Sequence, residues 1–168
     1  MIKLIVLDVD GTLTDGKLYI SNSGDEMKAF NVKDGLGITQ AISQGKQVAI
    51  ITGKKSEIVE NRCKALGITE IHQGIKDKVG TLNNILEKYN ISYNHVAYMG
   101  DDLIDLAVMK LCSLTGAPKD SVKEILDISD FISTKNGGDG AVREFIEHIL
   151  KKENLWENVV KNFSPTEQ

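Results

Sequence analysis

The sequence contains only two cysteines and no long apolar run. Cys63 and Cys112 lack the spacing of metal ligands and stand among apolar residues, so we expect two reduced, largely buried thiols. The first apolar run begins at Leu4 and stops before Asp8, which is too short for a secretory signal or a membrane span. We therefore expect a cytoplasmic protein without a membrane partner.

The sequence also lacks an excess of positive charge. Its 20 basic and 24 acidic residues leave a net charge of -4, whereas nucleic-acid binding usually requires clustered positive charge. We therefore expect no nucleic-acid partner, although a few local cations could still hold a small phosphorylated substrate. With 168 residues, of which 41% are hydrophobic, the chain is predicted to form one domain over residues 1–168.

Short apolar runs alternate with amphipathic stretches along the chain. Three continuous apolar runs predict strands that are buried on both faces: 4–7, 48–51 and 96–99. Three stretches with apolar residues at helical spacing predict helices: 58–66, 79–89 and 103–109. This alternation predicts an α/β fold with a doubly wound, mainly parallel sheet, whose ligands bind outside the carboxyl ends of the strands.

One segment after the first strand breaks the alternation. Residues 16–31 contain two short stretches around a polar turn at 21–25, which predicts a β-hairpin flap. No other insertion is long enough for a second domain, so we expect no cap domain. The chain ends in a predicted tail over about residues 152–168, and we expect the residues after Ser164 to fray.

The end of the first strand carries two carboxylates one residue apart. Strand geometry places Asp8 and Asp10 on the same side, where like charges repel each other unless a divalent cation offsets them. Gly11 would let the chain turn sharply and bring backbone N–H groups close to a phosphate. The ordinary alternative is a capping carboxylate followed by a turn aspartate.

Further polar residues follow the other predicted strands. Thr52 offers a hydroxyl donor, and Lys78 offers a cation for a transferring phosphoryl group. Asp101, Asp102 and Asp105 have the character of a hard-cation site. Their ordinary alternatives are a helix cap, a solvated lysine and acids that favour a helix N-terminus. Because parallel strands bring their carboxyl ends to one edge, the combined set predicts phosphoryl transfer in one crevice.

These residues resemble the motif set of the haloacid dehalogenase superfamily. The stretch DVDGTLT from Asp8 resembles its first motif and GDDLID from Gly100 its fourth, with Thr52 and Lys78 at the second and third. By that resemblance Asp8 is the nucleophile that forms an aspartyl-phosphate. Asp10 is the general acid for the leaving oxygen and then the base that activates water. Thr52 and Lys78 hold the phosphoryl group.

The same resemblance implies that the enzyme requires Mg²⁺. Its expected ligands are Asp8, the backbone carbonyl of Asp10, and Asp101. Asp102 is expected to support the metal directly or through water, and Asp105 is a further supporting residue.

The resemblance extends over nearly the whole chain and identifies a subfamily without a cap domain, the 3-deoxy-D-manno-octulosonate 8-phosphate (KDO 8-phosphate) phosphatases. The stretches that carry it are DGKLYISNSGDEMKAFNVKDGLGI, ITGKKSEIVENRCKALGI, GIKDK, YMGDDLIDLAVM and GGDGAVREF. It implies a homotetramer that releases phosphate from an acidic sugar phosphate in lipopolysaccharide biosynthesis. Hairpins of neighbouring subunits would wall off the crevice that no cap covers.

Four residues match the family's substrate-binding positions, namely Gly53, Lys54, Arg62 and Arg143. The cations among them, Lys54, Arg62 and Arg143, would suit a sugar carboxylate. Their ordinary alternative is a solvated basic side chain. Lys54 stands where KDO 8-phosphate members usually carry arginine, and lysine keeps the charge but loses the bidentate geometry. Nonulosonate 9-phosphate phosphatases, of the sialic acid type, can carry an acidic residue there. We therefore favour KDO 8-phosphate and keep a nonulosonate 9-phosphate as the alternative substrate.

Two alternatives belong to other classes of protein. A receiver domain also combines acids, a hydroxyl, a lysine and Mg²⁺, but its phosphoacceptor aspartate follows the third strand. The matching strand of this chain ends in Thr52-Gly53, and a receiver has no hairpin. A noncatalytic assembly domain is the second alternative, and the complete motif set argues against it.

Overall fold

The structure, a computed structural model, describes residues 1–164. The predicted fraying after Ser164 concerns residues outside this range. In chain order the elements are β1 Leu4–Leu7, β2 Tyr19–Ile20, β3 Glu26–Met27, α1 Val32–Ser43, β4 Gln47–Ile51, α2 Glu57–Ala65, β5 Glu70–His72, α3 Lys78–Tyr89, a 3-10 turn Tyr93–His95, β6 Val96–Met99, α4 Leu103–Met109, β7 Leu114–Ala117, α5 Lys123–Ile128, β8 Phe131–Ile132, α6 Ala141–Lys152 and α7 Trp156–Phe163.

A six-stranded parallel sheet forms the centre of the fold. Its strand order is β5-β4-β1-β6-β7-β8, and every described pairing in it is parallel. The central strand β1 pairs with β4 and β6, so that Leu4 lies opposite Gln47 on one side and Val96 on the other. The three strands that end at the predicted site are therefore neighbours, and their carboxyl ends share one edge.

Helices cover both faces of this sheet, which explains the continuous apolar character of β1. Ile5 and Leu7 belong to a core built with α1, α2 and α6, whereas Leu4 and Val6 belong to a core built with α3, α4 and α5. All four side chains are fully buried, and each contributes about 1.5–3 kcal/mol of apolar transfer free energy. The structure confirms the predicted doubly wound, mainly parallel sheet.

The segment between β1 and α1 forms the antiparallel β2–β3 hairpin, with Tyr19 opposite Met27. Among residues 1–164 no insertion is large enough to form a cap domain over the sheet. The predicted tail contains α7, and Val159 of that helix is buried in the core.

Both thiols are free, as the sequence predicts. Cys63 is buried and Cys112 half-buried. Burial raises the pKa of Cys63 to about 11 and that of Cys112 to about 12, so both remain protonated at neutral pH. No helix within residues 1–164 combines the length and the apolar character that crossing a membrane requires.

Glu70 at the start of β5 should make the stability of the fold sensitive to acid. Burial alone would raise the pKa of Glu70, but hydrogen bonds from Lys88, Tyr89 and His72 outweigh it and lower that pKa to about 2. The folded protein therefore binds this proton more weakly than the unfolded chain. The network stabilises the fold fully above about pH 4.5, and this contribution disappears as the pH falls to about 2.

We expect Glu70→Gln to lower the free energy of unfolding at pH 7 by about 1–2 kcal/mol, after allowance for solvent screening of the exposed Lys88. Urea unfolding between pH 7 and pH 3 should show the difference from the wild type shrinking as the pH falls. Glu57→Gln, at an exposed position on α2, is the matched control. A difference that stays constant over this pH range would contradict the prediction.

Candidate active site

Three aspartates converge where β1 and β6 end. Asp8 directly follows β1, Asp101 follows β6 by two residues, and Asp105 lies in the first turn of α4. One carboxylate oxygen from each lies within 4.8 Å of the others. Asp8 and Asp105 are buried and Asp101 is half-buried. We call these three residues the aspartate cluster.

The loop after β1 is shaped so that Asp101 can approach it closely. Gly11 adopts a positive φ of 90°, and a Cβ atom there would lie 2.0 Å from Oδ2 of Asp101. Only glycine therefore allows both the turn and the contact. The hydroxyl of Thr12 donates a hydrogen bond to Oδ1 of Asp101 at 3.1 Å and so fixes that carboxylate.

Lys78, the first residue of α3, reaches into the aspartate cluster. Its side chain is only 4% exposed. Its Nζ lies 2.8 Å from Oδ1 of Asp105, 3.1 Å from Oδ1 of Asp8 and 3.1 Å from the carbonyl oxygen of Ile51. Burial would lower the pKa of Lys78, but the charges of Asp8 and Asp105 outweigh it and raise that pKa above its ordinary value. Lys78 is therefore a permanent cation of the site.

The cluster carries more negative charge than Lys78 neutralises. Burial, together with the charge of Asp105, raises the pKa of Asp8 to about 7. Burial, together with the charge of Asp8, raises the pKa of Asp101 to about 8. A bound cation would oppose both shifts, because it favours the ionised carboxylates.

The donor set fits Mg²⁺. Oδ1 of Asp8 is buried and has no hydrogen-bond partner, and its ion pair with Nζ of Lys78 is 3.1 Å long. A buried carboxylate oxygen without a hydrogen bond, beside a second acid, offers the hard oxygen ligand that Mg²⁺ prefers. Asp8 and Asp101 are the residues that would hold the ion.

Asp105 serves the cluster differently from the other two acids. Its Oδ1 accepts hydrogen bonds from Lys78 and from the hydroxyl of Tyr98, the latter at 2.9 Å. Its Oδ2 accepts a hydrogen bond from the backbone N–H of Asp101 at 3.1 Å. Since both oxygens already have donors, Asp105 orients Lys78 and the Asp101 loop.

The structure places Asp102 outside the aspartate cluster. Asp102 is exposed and forms the N-cap of α4, where its Oδ1 accepts a hydrogen bond from the N–H of Leu103 at 2.7 Å. This is the helix-capping alternative that the sequence left open. Of the two residues expected to support the metal, Asp105 is the one that lies in the cluster.

Asp10 lies at the rim, next to the hairpin. Its side chain is 33% exposed, and its Oδ1 is 2.6 Å from Nζ of Lys28. Nearby, Lys54 forms an ion pair with Glu26 at 3.0 Å, and both of these side chains are exposed. Two ion pairs thus connect the hairpin to the loops that follow β1 and β4.

Thr52 and Gly53 follow β4, the neighbour of β1. Thr52 is 2% exposed and comes directly after Ile51, whose carbonyl oxygen holds Lys78. Its backbone N–H donates to the carbonyl of His72 at 2.9 Å, which anchors the strand end. Gly53 is exposed.

The two arginines that the sequence suggested for substrate binding make other contacts. Arg62 lies over the ring of Phe30 at 5.9 Å. The side chain of Arg143 donates a hydrogen bond to Glu147 at 2.8 Å and lies over the ring of Trp156 at 5.3 Å. Neither arginine belongs to the aspartate cluster.

Sequence reasoning missed Lys28 and Tyr98. Tyr98 belongs to the apolar run that predicted β6, and nothing in that run distinguishes it from a core residue. Lys28 resembles a solvated lysine of the hairpin, although its side chain is only 4% exposed. No spacing rule would have identified either one.

Comparisons with known proteins agree with this geometry. Residues 65–146 match a family model for haloacid dehalogenase-like hydrolases. The 3-deoxy-D-manno-octulosonate 8-phosphate phosphatase KdsC of Escherichia coli K12 is 46% identical over 149 residues, which are 89% of this chain and 79% of that protein.

Two solved structures are also similar to this chain. One is the same type of phosphatase from Moraxella catarrhalis, in complex with a magnesium ion, a phosphate ion and KDO. It is 42% identical with a TM-score of 0.94, and the match covers 96% of this chain and 93% of that one. The other is the cobalt-bound phosphatase from Haemophilus influenzae, at 33% identity and a TM-score of 0.87, with 91% and 90% covered.

Proposed function

The chain belongs to the KDO 8-phosphate phosphatases of the haloacid dehalogenase superfamily, and from this premise we propose that it hydrolyses KDO 8-phosphate to KDO and inorganic phosphate. The main observation that supports this proposal is that Asp8, Asp101 and Asp105 converge around Lys78 at the strand ends. That arrangement matches an enzyme that handles a phosphoryl group with a divalent cation. The reaction would supply free KDO to lipopolysaccharide biosynthesis.

In the proposed reaction the carboxylate of Asp8 attacks phosphorus, and the bond from phosphorus to the sugar oxygen breaks as Asp10 donates a proton to that oxygen. Water then attacks the aspartyl-phosphate and gives a proton to Asp10, which releases phosphate and restores Asp8. Thr52 and Lys78 hold the phosphoryl oxygens. Asp8, Asp101 and the backbone carbonyl of Asp10 would hold Mg²⁺, which would offset the negative charge of the carboxylates and the phosphoryl group.

A side-by-side kinetic comparison tests the substrate. Purified protein with Mg²⁺ should release phosphate from KDO 8-phosphate with a higher kcat/KM than from nonulosonate 9-phosphates. Lys54 supports this choice, because it keeps the positive charge that KDO 8-phosphate members usually carry there as arginine, whereas nonulosonate members can carry an acidic residue. A much higher kcat/KM for a nonulosonate 9-phosphate would overturn the assignment. Lack of phosphate release from any sugar phosphate would instead favour the noncatalytic assembly domain.

Mg²⁺ should stabilise the fold most at alkaline pH. Because the pKa of Asp8 is raised to about 7 and that of Asp101 to about 8, the metal-free folded state binds these protons more tightly than the unfolded chain. The stability of the metal-free protein therefore falls as the pH rises from about 4 to about 8. Bound Mg²⁺ would remove this penalty.

Thermal unfolding in Mg²⁺ and in EDTA checks this expectation at pH 6 and pH 8.5. The increase in Tm caused by Mg²⁺ should be larger at pH 8.5 and should largely disappear in Asp101→Asn. An equal increase at both pH values would argue against a cation between these carboxylates.

The same proposal includes a homotetramer. Its support is the hairpin, where Leu18, Ile20 and Met27 are 62%, 58% and 69% exposed, an arrangement suited to burial against other subunits. Light scattering should report four subunits, and Ile20→Asp should shift the protein to smaller species. A stable monomer with full activity would contradict this part.

The single domain and the cytoplasmic location remain predictions. Cell fractionation would test the location.

A further inference from the structure

Lys28 is a half-buried residue on an otherwise exposed hairpin, and its side chain is the enclosed part. That side chain is only 4% exposed, and the residue before it, Met27, is exposed. Removing an ammonium group from water costs free energy unless an opposite charge lies close to it. Asp10 supplies that charge, since its Oδ1 lies 2.6 Å from Nζ of Lys28. The ammonium group of Lys28 is therefore compensated by one carboxylate, that of Asp10.

A second ion pair fixes the strand that leads into Lys28. Glu26 is the first residue of β3, and Lys28 directly follows the last residue of that strand, Met27. Glu26 pairs with Lys54 at 3.0 Å, while Lys28 pairs with Asp10. The two contacts hold β3 between the loops that follow β1 and β4.

The contact leaves one oxygen of Asp10 open. Lys28 takes Oδ1, and the side chain of Asp10 is still 33% exposed. An aspartate carboxylate rotates over a broad range unless a partner holds it. A held carboxylate presents a defined oxygen to the crevice, which proton transfer in a fixed geometry requires.

We propose that Lys28 is a positioning residue for Asp10, holding Oδ1 so that Oδ2 faces the reacting oxygen. This inference rests on the proposed phosphatase function. In the first step, Asp8 forms its bond to phosphorus, the bond to the sugar oxygen breaks, and the proton on Oδ2 moves to that oxygen. In the second step, water forms a bond to phosphorus, its proton moves to Oδ2, and the bond to Asp8 breaks. Lys28 exchanges no proton in either step.

Two substrates whose leaving groups differ in their need for a proton can test this role. The sugar alkoxide is a poor leaving group and needs the proton from Asp10, whereas 4-nitrophenolate leaves without one. Loss of positioning should therefore slow hydrolysis of the sugar phosphate far more than hydrolysis of 4-nitrophenyl phosphate, provided that formation of the aspartyl-phosphate limits the rate. Single-turnover measurements isolate that step for both esters.

The test compares Lys28→Met, Lys28→Arg and Lys17→Met with the wild type. Lys28→Met should lower the single-turnover rate on KDO 8-phosphate about 10- to 100-fold and that on 4-nitrophenyl phosphate by less than about threefold. KM and the half-saturating Mg²⁺ concentration should change by less than about threefold, because Lys28 contacts the side chain of Asp10 and not the aspartate cluster. Lys28→Arg keeps the cation, so its single-turnover rates on the two esters should stay close to those of the wild type. Lys17→Met, at an exposed position before the same hairpin, should match the wild type.

Glu26→Gln separates positioning from docking of the hairpin. It weakens the other ion pair while leaving Lys28 in place, so at saturating substrate it should lower the single-turnover rates on both esters to a similar extent or on neither. Release of Lys54, the proposed contact of the sugar carboxylate, would change KM for KDO 8-phosphate and not these rates. Equal losses on both esters in Lys28→Met, or unchanged rates, would overturn the inference. If Lys28→Met does not fold, Lys28→Gln provides the same comparison. Failure of the wild type to release phosphate from either ester would overturn the proposed function instead.

Discussion

Replacing Asp8 by asparagine should lower phosphate release from KDO 8-phosphate by at least about 10⁴-fold, because the neutral amide cannot form the bond to phosphorus. The change is nearly isosteric at a position that is 2% exposed. The backbone N–H of Asp8 donates to the carbonyl of Met99 at 3.1 Å, and the substitution leaves that bond intact. The measurement is Mg²⁺-dependent phosphate release under substrate saturation.

The variant should fold at least as well as the wild type in EDTA. Burial raises the pKa of Asp8 to about 7, so its charge destabilises the metal-free fold at alkaline pH, and the amide removes that charge. Asp127→Asn, at an exposed position on α5, is the control for an aspartate-to-asparagine change. Undiminished turnover of Asp8→Asn would falsify the nucleophile assignment.

Replacing Lys78 by methionine should damage both catalysis and stability. Without the ammonium group, Asp8 and Asp105 would face each other as buried acids at 2% and 0% exposure. Removing one partner of a buried charge network costs about 3 kcal/mol of unfolding free energy. Loss of a cation that stabilises the phosphoryl group should lower kcat by about 10²- to 10³-fold. Urea unfolding in EDTA and steady-state kinetics measure the two effects.

A double variant separates these two effects. Lys78→Met combined with Asp105→Asn removes one of the two uncompensated acids, so it should regain part of the lost stability without regaining activity. The difference in stability should also shrink in saturating Mg²⁺. Recovery of activity together with stability would show that Lys78 acts only through the fold.

Periodicity predicted the strands that build the site and missed those that do not. The apolar runs 4–7, 48–51 and 96–99 correspond to β1, β4 and β6, which are buried on both faces. Three strands were not predicted, namely β5 Glu70–His72, β7 Leu114–Ala117 and β8 Phe131–Ile132. They are two to four residues long and contain polar or exposed positions, so no periodic signal distinguishes them from loops.

Motif reasoning placed the acids at the right edge of the sheet but could not assign their contacts. Asp101, Asp102 and Asp105 are equivalent as letters in the sequence. The helical turn of α4 directs Asp105 inward, where Tyr98 and Lys78 meet it, whereas Asp102 remains at the N-cap in solvent. Which carboxylate faces the cluster depends on the direction of the helix, and the order of residues does not encode that direction.

The sequence by itself determined the sheet, the edge where ligands bind and the chemical class of the site, because each follows from local pattern and from the rule that parallel strands end together. Only the tertiary structure decided that Asp105 orients Lys78, that Arg62 and Arg143 pack against aromatic rings, and that Lys28 holds Asp10. These contacts join residues that are far apart in the chain or lie on a projecting hairpin. Their geometry depends on how helices and loops pack against the sheet, and the periodicity of a single segment carries no record of that packing.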